Sequence, residues 1–309
     1  MKDINETDLA DRSIHGDPEP VFLYSRNNEY IPRVAAVHDL CGYGKCSLGV
    51  AIPVLSAAGC DVCPVPTGLF SSHTAFPGWY MHDTTAILKD YLAAWSGIDV
   101  QIDAVYSGFL GAPEQVDIIR SLYETYPDAI KFVDPVMADH GKVYPTYTPE
   151  LCNAMASLAR DADVLTPNLT EAAIILGEPI GDEWEGADIT DEEAERLVHA
   201  LLDLGAKNVV LKGIQRQGET VMRNFVGGMD TNDIIQVENE FVPYMLHGTG
   251  DVYASCVLAG IMAGRSLVES VAFAGNFVHD AMIVSAKQPN FMDRGVSFEL
   301  LLGKVSDLL

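Results

Sequence analysis

Four consecutive residues, Gly248-Thr249-Gly250-Asp251, open an apolar stretch that runs to Met262. Two glycines around a threonine let successive backbone N–H groups converge with no Cβ atom in the way, which makes an anion nest at a helix N-terminus. Asp251 falls in the first turn of that helix. An ordinary helix start accepts an aspartate there, but it does not call for two glycines ahead of so apolar a helix. A carboxylate beside an anion nest suits phosphoryl transfer. The nest neutralises charge developing on the phosphoryl group, and the carboxylate takes a proton from an attacking hydroxyl.

A second group is Asn168-Leu169-Thr170-Glu171, at the junction of a strand and a helix. Asn and Glu three apart fall on one side of a first turn. A carboxylate so placed can hold Mg²⁺, directly or through water, and the same pair also suits an Asn N-cap with a box Glu. Asp134, at the end of "FVDPV", could share the metal, and Lys212, at the end of "NVVLKGI", could meet nucleotide phosphates as a point charge.

These residues need a frame that gathers strand ends. Short β-branched runs alternate with helical patterns along the chain. Strands are expected at 33–40, 61–68, 104–111, 129–136, 163–168 and 208–214, with helices at 47–59, 115–126, 149–161 and 190–204. The last of these has Thr190 and Glu193 as a capping box, an apolar face of Ala194, Leu197, Val198, Leu201 and Leu202, and Gly205 as its stop. Ser266 and Glu269 form a second box, opening a helix to about 286. The β-α alternation predicts an α/β fold with one doubly wound, mainly parallel sheet and helices on both faces. Ligands then sit beyond the C-terminal strand ends, where the candidate residues fall.

The chain has 309 residues, 48% of them apolar, and a net charge of −25 from 19 Lys and Arg against 44 acids. Such a chain repels phosphate backbones and anionic bilayers, which argues against nucleic acid and membrane partners. No uninterrupted apolar run reaches the ~20 residues of a membrane span. The polar, acidic start has no apolar core of a secretory signal, so a cytoplasmic location is expected. It reads as a solvated extension over residues 1–32, with a single domain over 33–309. Of the six cysteines, only Cys60 and Cys63 make a CxxC, with no second pair at zinc spacing, so reduced thiols are the expectation.

Other nucleotide motifs fail. "GYGKCS" has Asp39 where a P-loop needs its first glycine and Cys46 where it needs Ser or Thr. Gly42-x-Gly44 is followed by Ser47 where a dinucleotide fingerprint needs a third glycine, which argues against an oxidoreductase. Protein-kinase triplets are absent.

"GTGD" before an apolar helix, "TPNLTE" and "FVDPV" together resemble the ribokinase superfamily. With Thr249 inside the motif, "SSHTAFPGW" at 71–79 and "DPVMADHGKVY" at 134–144, the chain looks like its vitamin kinases, the pyridoxal and pyridoxamine kinases above all. The resemblance covers about residues 33–290. It implies ATP-dependent phosphorylation of the 5′-hydroxymethyl group of a B6 vitamer (pyridoxal, pyridoxamine or pyridoxine), in a homodimer. Asp251 would be the base, and the amides of Gly248, Thr249 and Gly250 the anion hole. Glu171 and Asp134 would organise Mg²⁺, while Asn168 and Lys212 approach the ATP phosphates. Asp139 and Thr166 match positions linked to a monovalent cation such as K⁺. His73 and Thr74 would line the pyridine pocket, and Tyr144 or Tyr147 would belong to the lid.

The chain departs from that pattern after the first strand, where "VHDL" replaces "QSHV", so His38 or Asp39 must read the ring. Asp39 could accept a proton from ring groups, as in pyrimidine kinases, which keeps hydroxymethylpyrimidine open as substrate. His247 reads as a packed core histidine or, less favoured, a phosphate contact. A non-catalytic vitamin- or nucleotide-binding protein on the same fold is the remaining alternative.

Overall fold

The computed structural model describes residues 14–16, 20–180, 189–231 and 233–309. Its main feature is a ten-stranded sheet. The parallel centre consists, in spatial order, of β3 (Asp61–Phe70), β2 (Arg33–Cys41), β5 (Ala104–Ser107), β6 (Ile130–Val133), β9 (Val164–Leu165) and β10 (Asn208–Gln215). Antiparallel strands finish both sides: β4 (Met81–Asp83) next to β3, and β11 (Val221–Gly228), β12 (Ile235–Glu240) and β1 (Ile14–His15) beyond β10. A separate two-residue hairpin pairs β7 (Ala138–Asp139) with β8 (Lys142–Val143).

Alternate residues of the central strands serve opposite layers. Val34, Ala36, Tyr106 and Phe132 belong to one apolar core, packed under α1 (Leu48–Ala57), α7 (Thr249–Met262), α8 (Leu267–Ser285) and the short α9 (Phe291–Arg294) and α10 (Leu302–Ser306). Ala35, Val37, Val105 and Val133 belong to the other, under α2 (Thr85–Ala93), α3 (Glu114–Thr125), α4 (Pro149–Ala159), α5 (Leu169–Leu176) and α6 (Asp191–Asp203). The predicted doubly wound sheet is therefore present, with its parallel strands buried on both faces.

Three predicted strands stop early. They end at Ser107, Val133 and Leu165; Pro135 and Pro167, which closely follow the last two, have no N–H for the ladder. The β11–β12 hairpin was not anticipated, although Ile235, Val237 and Asn239 alternate inward along β12. Helix α8 has the length and apolar character of a membrane span, but half of it is buried against α7 and β12 as a core helix.

Residues 20–32 do not form the solvated arm the sequence suggested. Leu23 and Tyr24 pack against the first core, and the Leu267 N–H donates to the Val21 carbonyl at 2.9 Å. Arg26 binds the C-terminal ends of two helices. Its guanidinium donates to Ala58 O at 3.4 Å and Gly59 O at 3.2 Å after α1, and to Met262 O at 3.2 Å at the end of α7. A cation there also complements both helix dipoles. The rest of the expected extension, residues 1–13 and 17–19, lies outside the described residues. Arg26→Ala should destabilise the protein by about 2 to 3 kcal/mol, from three bonds of ~0.5–1.5 kcal/mol each, measured by urea unfolding. An unchanged midpoint would show that the docked segment adds nothing.

Candidate active site

The C-terminal ends of β6 and β9 and the bulge in β10 bring Asp134, Thr166 and Lys212 to one place. A bulge between Leu211 and Ile214, with Gly213 at φ +76°, breaks the register just where Lys212 turns toward β9. The Lys212 N–H donates to Pro167 O at 2.9 Å. Its buried ammonium binds Asp134 Oδ1, donates to Thr166 O at 2.6 Å and stands 4.0 Å from Glu171 Oε2. Burial alone would lower the Lys212 pKa, but Asp134 and Glu171 outweigh it and raise it. Asp134 is fully buried. Oδ1 also accepts from Thr166 Oγ1 at 3.0 Å, whereas Oδ2 has no partner.

Asn168 and Glu171 form a complete capping box on α5. Glu171 N–H donates to Asn168 Oδ1 and Asn168 N–H to Glu171 Oε2, both at 2.8 Å. Glu171 Oε1 accepts from Met137 N–H at 3.3 Å, and Asn168 Nδ2 donates to Ala138 O at 2.9 Å. The cap and the charged site are thus the same residues. Burial pushes the Glu171 carboxyl up to about 8, against the pull of Lys212 and with reinforcement from Asp134.

The nest is built at the start of α7. Gly248 is left-handed at φ +84°, and a Cβ there would overlap the Lys45 carbonyl oxygen. Gly250 faces open space, with nothing within 4 Å of an added Cβ. The Thr249 hydroxyl turns back to Leu246 O at 3.1 Å, which leaves its amide for a ligand. Helical bonding starts only at Val252 N–H to Gly248 O, 2.9 Å, so the amides before it point out of the helix. From Val252 to Met262 every residue of α7 is buried, which fixes the nest in the core.

Asp251 has a buried Oδ1 without a partner. Burial, then the charge of Asp134, raises its pKa to about 7, while the Ser47 N–H and Lys212 pull the other way. Sequence reasoning passed over Ser47. Its backbone lies at φ 51°, ψ −128°, a conformation that strains any residue but glycine. The strain places its N–H toward Asp251 and its hydroxyl toward Asp39. Burial raises Asp39 to about 6, with the Ser47 hydroxyl opposing. No sequence pattern signals a serine at positive φ.

The structure sets His38 and Asp39 apart. The His38 ring is fully buried, edge-on to Tyr106 at 4.2 Å and against Gly108, and neither nitrogen has a partner. Burial lowers its pKa to about 3. Asp39, though also buried, meets the Ser47 hydroxyl and lies near Asp251. The two lid candidates, Tyr144 and Tyr147, also separate. Tyr147 is buried in the core, where its hydroxyl accepts from the Leu110 N–H at 3.2 Å. Tyr144 follows the β7–β8 hairpin; its phenol is raised by burial and by the carboxylates of Glu171, Asp139, Asp251 and Asp134.

His73 is buried and stacked between Phe76 at 4.4 Å and His247 at 4.6 Å, with Nε2 3.1 Å from Asp293 O. Thr74 beside it is exposed. His247 is not the packed core residue expected: it is exposed, because its ring lies on His73 rather than within the sheet layers. Asp139 is exposed on its hairpin, paired with His140, and no hydrogen bond joins it to Thr166 among the described residues. Thr166, by contrast, is fully buried just past the end of β9.

Among the described residues no group of three or more His, Cys, Asp or Glu is gathered for a metal. Magnesium beside nucleotide phosphates needs only one or two carboxylates. The unpartnered Asp134 Oδ2, with Glu171 alongside, fits that requirement.

Residues 52–294 match the family described as Phosphomethylpyrimidine kinase. Pyridoxal kinase PdxY of Pasteurella multocida is 29% identical over 84% of this chain and 91% of its own. A crystal structure of a putative phosphomethylpyrimidine kinase from Bacteroides thetaiotaomicron, in a form with pyridoxal, superposes with a TM-score of 0.84 at 33% identity, covering 89% of this chain and 96% of that one. Pyridoxal kinase from Lactobacillus plantarum gives 0.80 at 26% identity, covering 90% and 98%.

The two nest glycines should respond differently to a methyl group. Gly248→Ala should destabilise by at least about 2 kcal/mol, from left-handed strain and the overlap with Lys45. Gly250→Ala should stay within ~1 kcal/mol of the parent. Urea unfolding of both variants measures the contrast, and equal midpoints would show that the Gly248 turn carries no strain.

Proposed function

The chain belongs to the phosphomethylpyrimidine kinase family, and on that premise we propose that it is an ATP-dependent kinase acting on the 5′-hydroxymethyl group of a B6 vitamer, with Asp251 as base. The observation that carries this reading is the Asp251 carboxyl oxygen, buried and unpartnered, at the mouth of a glycine nest. Pyridoxal in the Bacteroides relative and the pyridoxal kinase names of the others support the substrate class.

Each group has a task in this reaction. The substrate hydroxyl lies against Asp251, which takes its proton as the oxygen attacks the γ-phosphorus. The amides of Gly248, Thr249 and Gly250 receive the charge on the transferring group. Asp134 and Glu171 would hold Mg²⁺, which supplies positive charge on the phosphates when bound. Lys212 keeps those two carboxylates from repelling each other and lies on the phosphate side with Asn168. Asp39 reads the ring, helped by His73, Thr74 and Tyr144. K⁺ at Asp139 and Thr166 gains no support from their positions. A homodimer belongs to the same reading; Leu40 and Leu69, paired across β2 and β3 and each 41% exposed, offer it apolar surface.

One observation favours a second reading, phosphorylation of hydroxymethylpyrimidine: the family's own description names a pyrimidine kinase. Asp39 is the residue that separates the two.

ADP release with MgATP, measured against pyridoxal, pyridoxamine, pyridoxine, hydroxymethylpyrimidine and ribose, tests the class. Turnover on a B6 vitamer is expected; activity confined to hydroxymethylpyrimidine would replace the reading with the second one. Asp251→Asn should lower turnover by at least ~10³-fold and leave ATP binding nearly intact, and near-full activity would refute the base. The base must be ionised, so kcat/KM should fall as pH drops through about 7, the value to which burial raises Asp251. A profile flat from pH 8 down to 5 would contradict that assignment.

A further inference from the structure

Lys212 and Gly213 form the bulge in β10, and one residue stands across from both. Leu211 pairs with Phe225 and Ile214 with Arg223, so Asn224 of β11 alone opposes the two. Two residues against one is the arrangement by which a bulge re-aims a side chain and interrupts the ladder. Here the Gly213 N–H goes to a side chain instead of a ladder carbonyl: Asn224 Oδ1 accepts it at 3.2 Å. Gly213 is exposed, so its N–H could turn to water at little cost. The buried amide of Asn224 keeps it turned inward.

Asn224 is itself held. Its Nδ2 donates to Asn239 Oδ1 at 3.2 Å, and Asn239 Nδ2 donates to Asn276 Oδ1 of α8 at 3.0 Å. Asn224 pairs with Val237, so Asn224 and Asn239 are diagonal neighbours on one face of the β11–β12 hairpin. The first member sets the direction of the row. A backbone N–H can only donate, so Asn224 presents oxygen to Gly213 and nitrogen to Asn239, which then repeats the pattern toward Asn276. Gly275 makes room for the row, since a Cβ there would overlap the Asn239 amide. Asparagine is a poor strand former, and a buried amide is tolerated only when paired. Apolar residues at 224 and 239 would pack this face without either cost, so packing alone does not call for the row.

The row bears on Lys212 through the backbone. The Lys212 N–H donates to Pro167 O at 2.9 Å, and the next N–H is the one that Asn224 holds. Both peptides flanking the Lys212 Cα are thus pinned, one toward β9 and the other toward β11. Pinning both fixes the direction in which the side chain leaves the strand, and the ammonium then meets Asp134 and Thr166 O. We propose that Asn224 is a positioning residue for the transfer reaction: by holding the Gly213 N–H it aims Lys212 at the phosphate end of the nucleotide site. The proposal rests on the kinase reading above, in which Lys212 lies on the phosphate side. Asn239 and Asn276 support Asn224 from behind.

Asn224→Leu keeps nearly the shape of the side chain and removes the acceptor. Calorimetry with MgADP reads the nucleotide side without any vitamer, and initial rates with MgATP and pyridoxal read both KM values. Asn224→Leu should weaken MgADP binding and raise KM for ATP by at least ~5-fold, with KM for pyridoxal within ~2-fold of the parent. Asn224→Asp, which retains an acceptor for the Gly213 N–H, should recover most of that loss. A role in stability alone would lower the folded fraction, and kcat with it, while both KM values and the MgADP affinity stayed where they were. Where Asn224→Leu folds poorly, Asn224→Ser, whose hydroxyl is a bond too short to reach Gly213, takes its place. Unchanged MgADP affinity in the folded variant would overturn the proposal. So would an equal rise in both KM values, or no recovery in Asn224→Asp. A parent silent on every vitamer that still showed the MgADP contrast would refute the vitamer reading and support the role of Asn224.

Discussion

One buried ammonium faces a crowd of carboxylates, and the site is organised around that imbalance. Lys212 binds Asp134 and stands beside Glu171, with Asp251 near enough to feel its charge. Asp39 adds a fourth acid without a cation of its own. Burial and mutual repulsion hold Asp251 and Glu171 near neutrality, at about 7 and about 8, where a carboxyl can exchange protons. Lys212 keeps its charge because two acids outweigh its burial. A chain with net charge −25 offers no diffuse positive field for a polyanion, so positive character at the site must be local, and this lysine and the aligned amides supply it.

The fold delivers those amides with few degrees of freedom. Parallel strands packed on both faces bring their C-terminal ends to one edge, so Asp134, Thr166 and Lys212 meet although they lie far apart in the chain. The opposite wall is a helix buried along nearly its whole length, with its N-terminus at that edge. A helix so enclosed cannot swing its first turn without disturbing the core. The aim of the nest is therefore set by apolar packing behind it and by the Lys45 carbonyl in front.

Much of this was legible in the sequence, and what was not has identifiable causes. Gly248–Asp251, the Asn168–Glu171 pair and the strand-end positions of Asp134 and Lys212 follow from local chemistry and β-α alternation, which act over a few residues. The cap read from Asn168 and Glu171 is present, and the same Glu171 lies 4.0 Å from Lys212, so the two readings do not exclude each other. Ser47 was invisible because its importance lies in a backbone angle that no local sequence pattern announces. His38 against Asp39, and Tyr144 against Tyr147, needed the structure because neighbouring residues of one type of segment differ only in which side faces the core. The over-long strands came from counting residues past Ser107, Val133 and Leu165, where regular pairing gives way to loops that carry the site. His247 was misplaced for a related reason: stacking on another side chain leaves no periodicity.

The grip of Arg26 on α1 and α7 also sets an order of events. Its bond to Met262 O closes 236 residues of chain, among the longest-range contacts the fold contains. A growing polypeptide exposes residue 26 early and residue 262 near the end of synthesis, at about 5 to 20 residues per second. The segment can therefore reach the end of α1 early, but its contacts with α7 and α8 must wait until nearly everything else has been made. Its apolar members Leu23 and Tyr24 remain uncovered during that interval. Seating this strap is a late step of maturation, and the same step secures the far end of the helix that presents the nest.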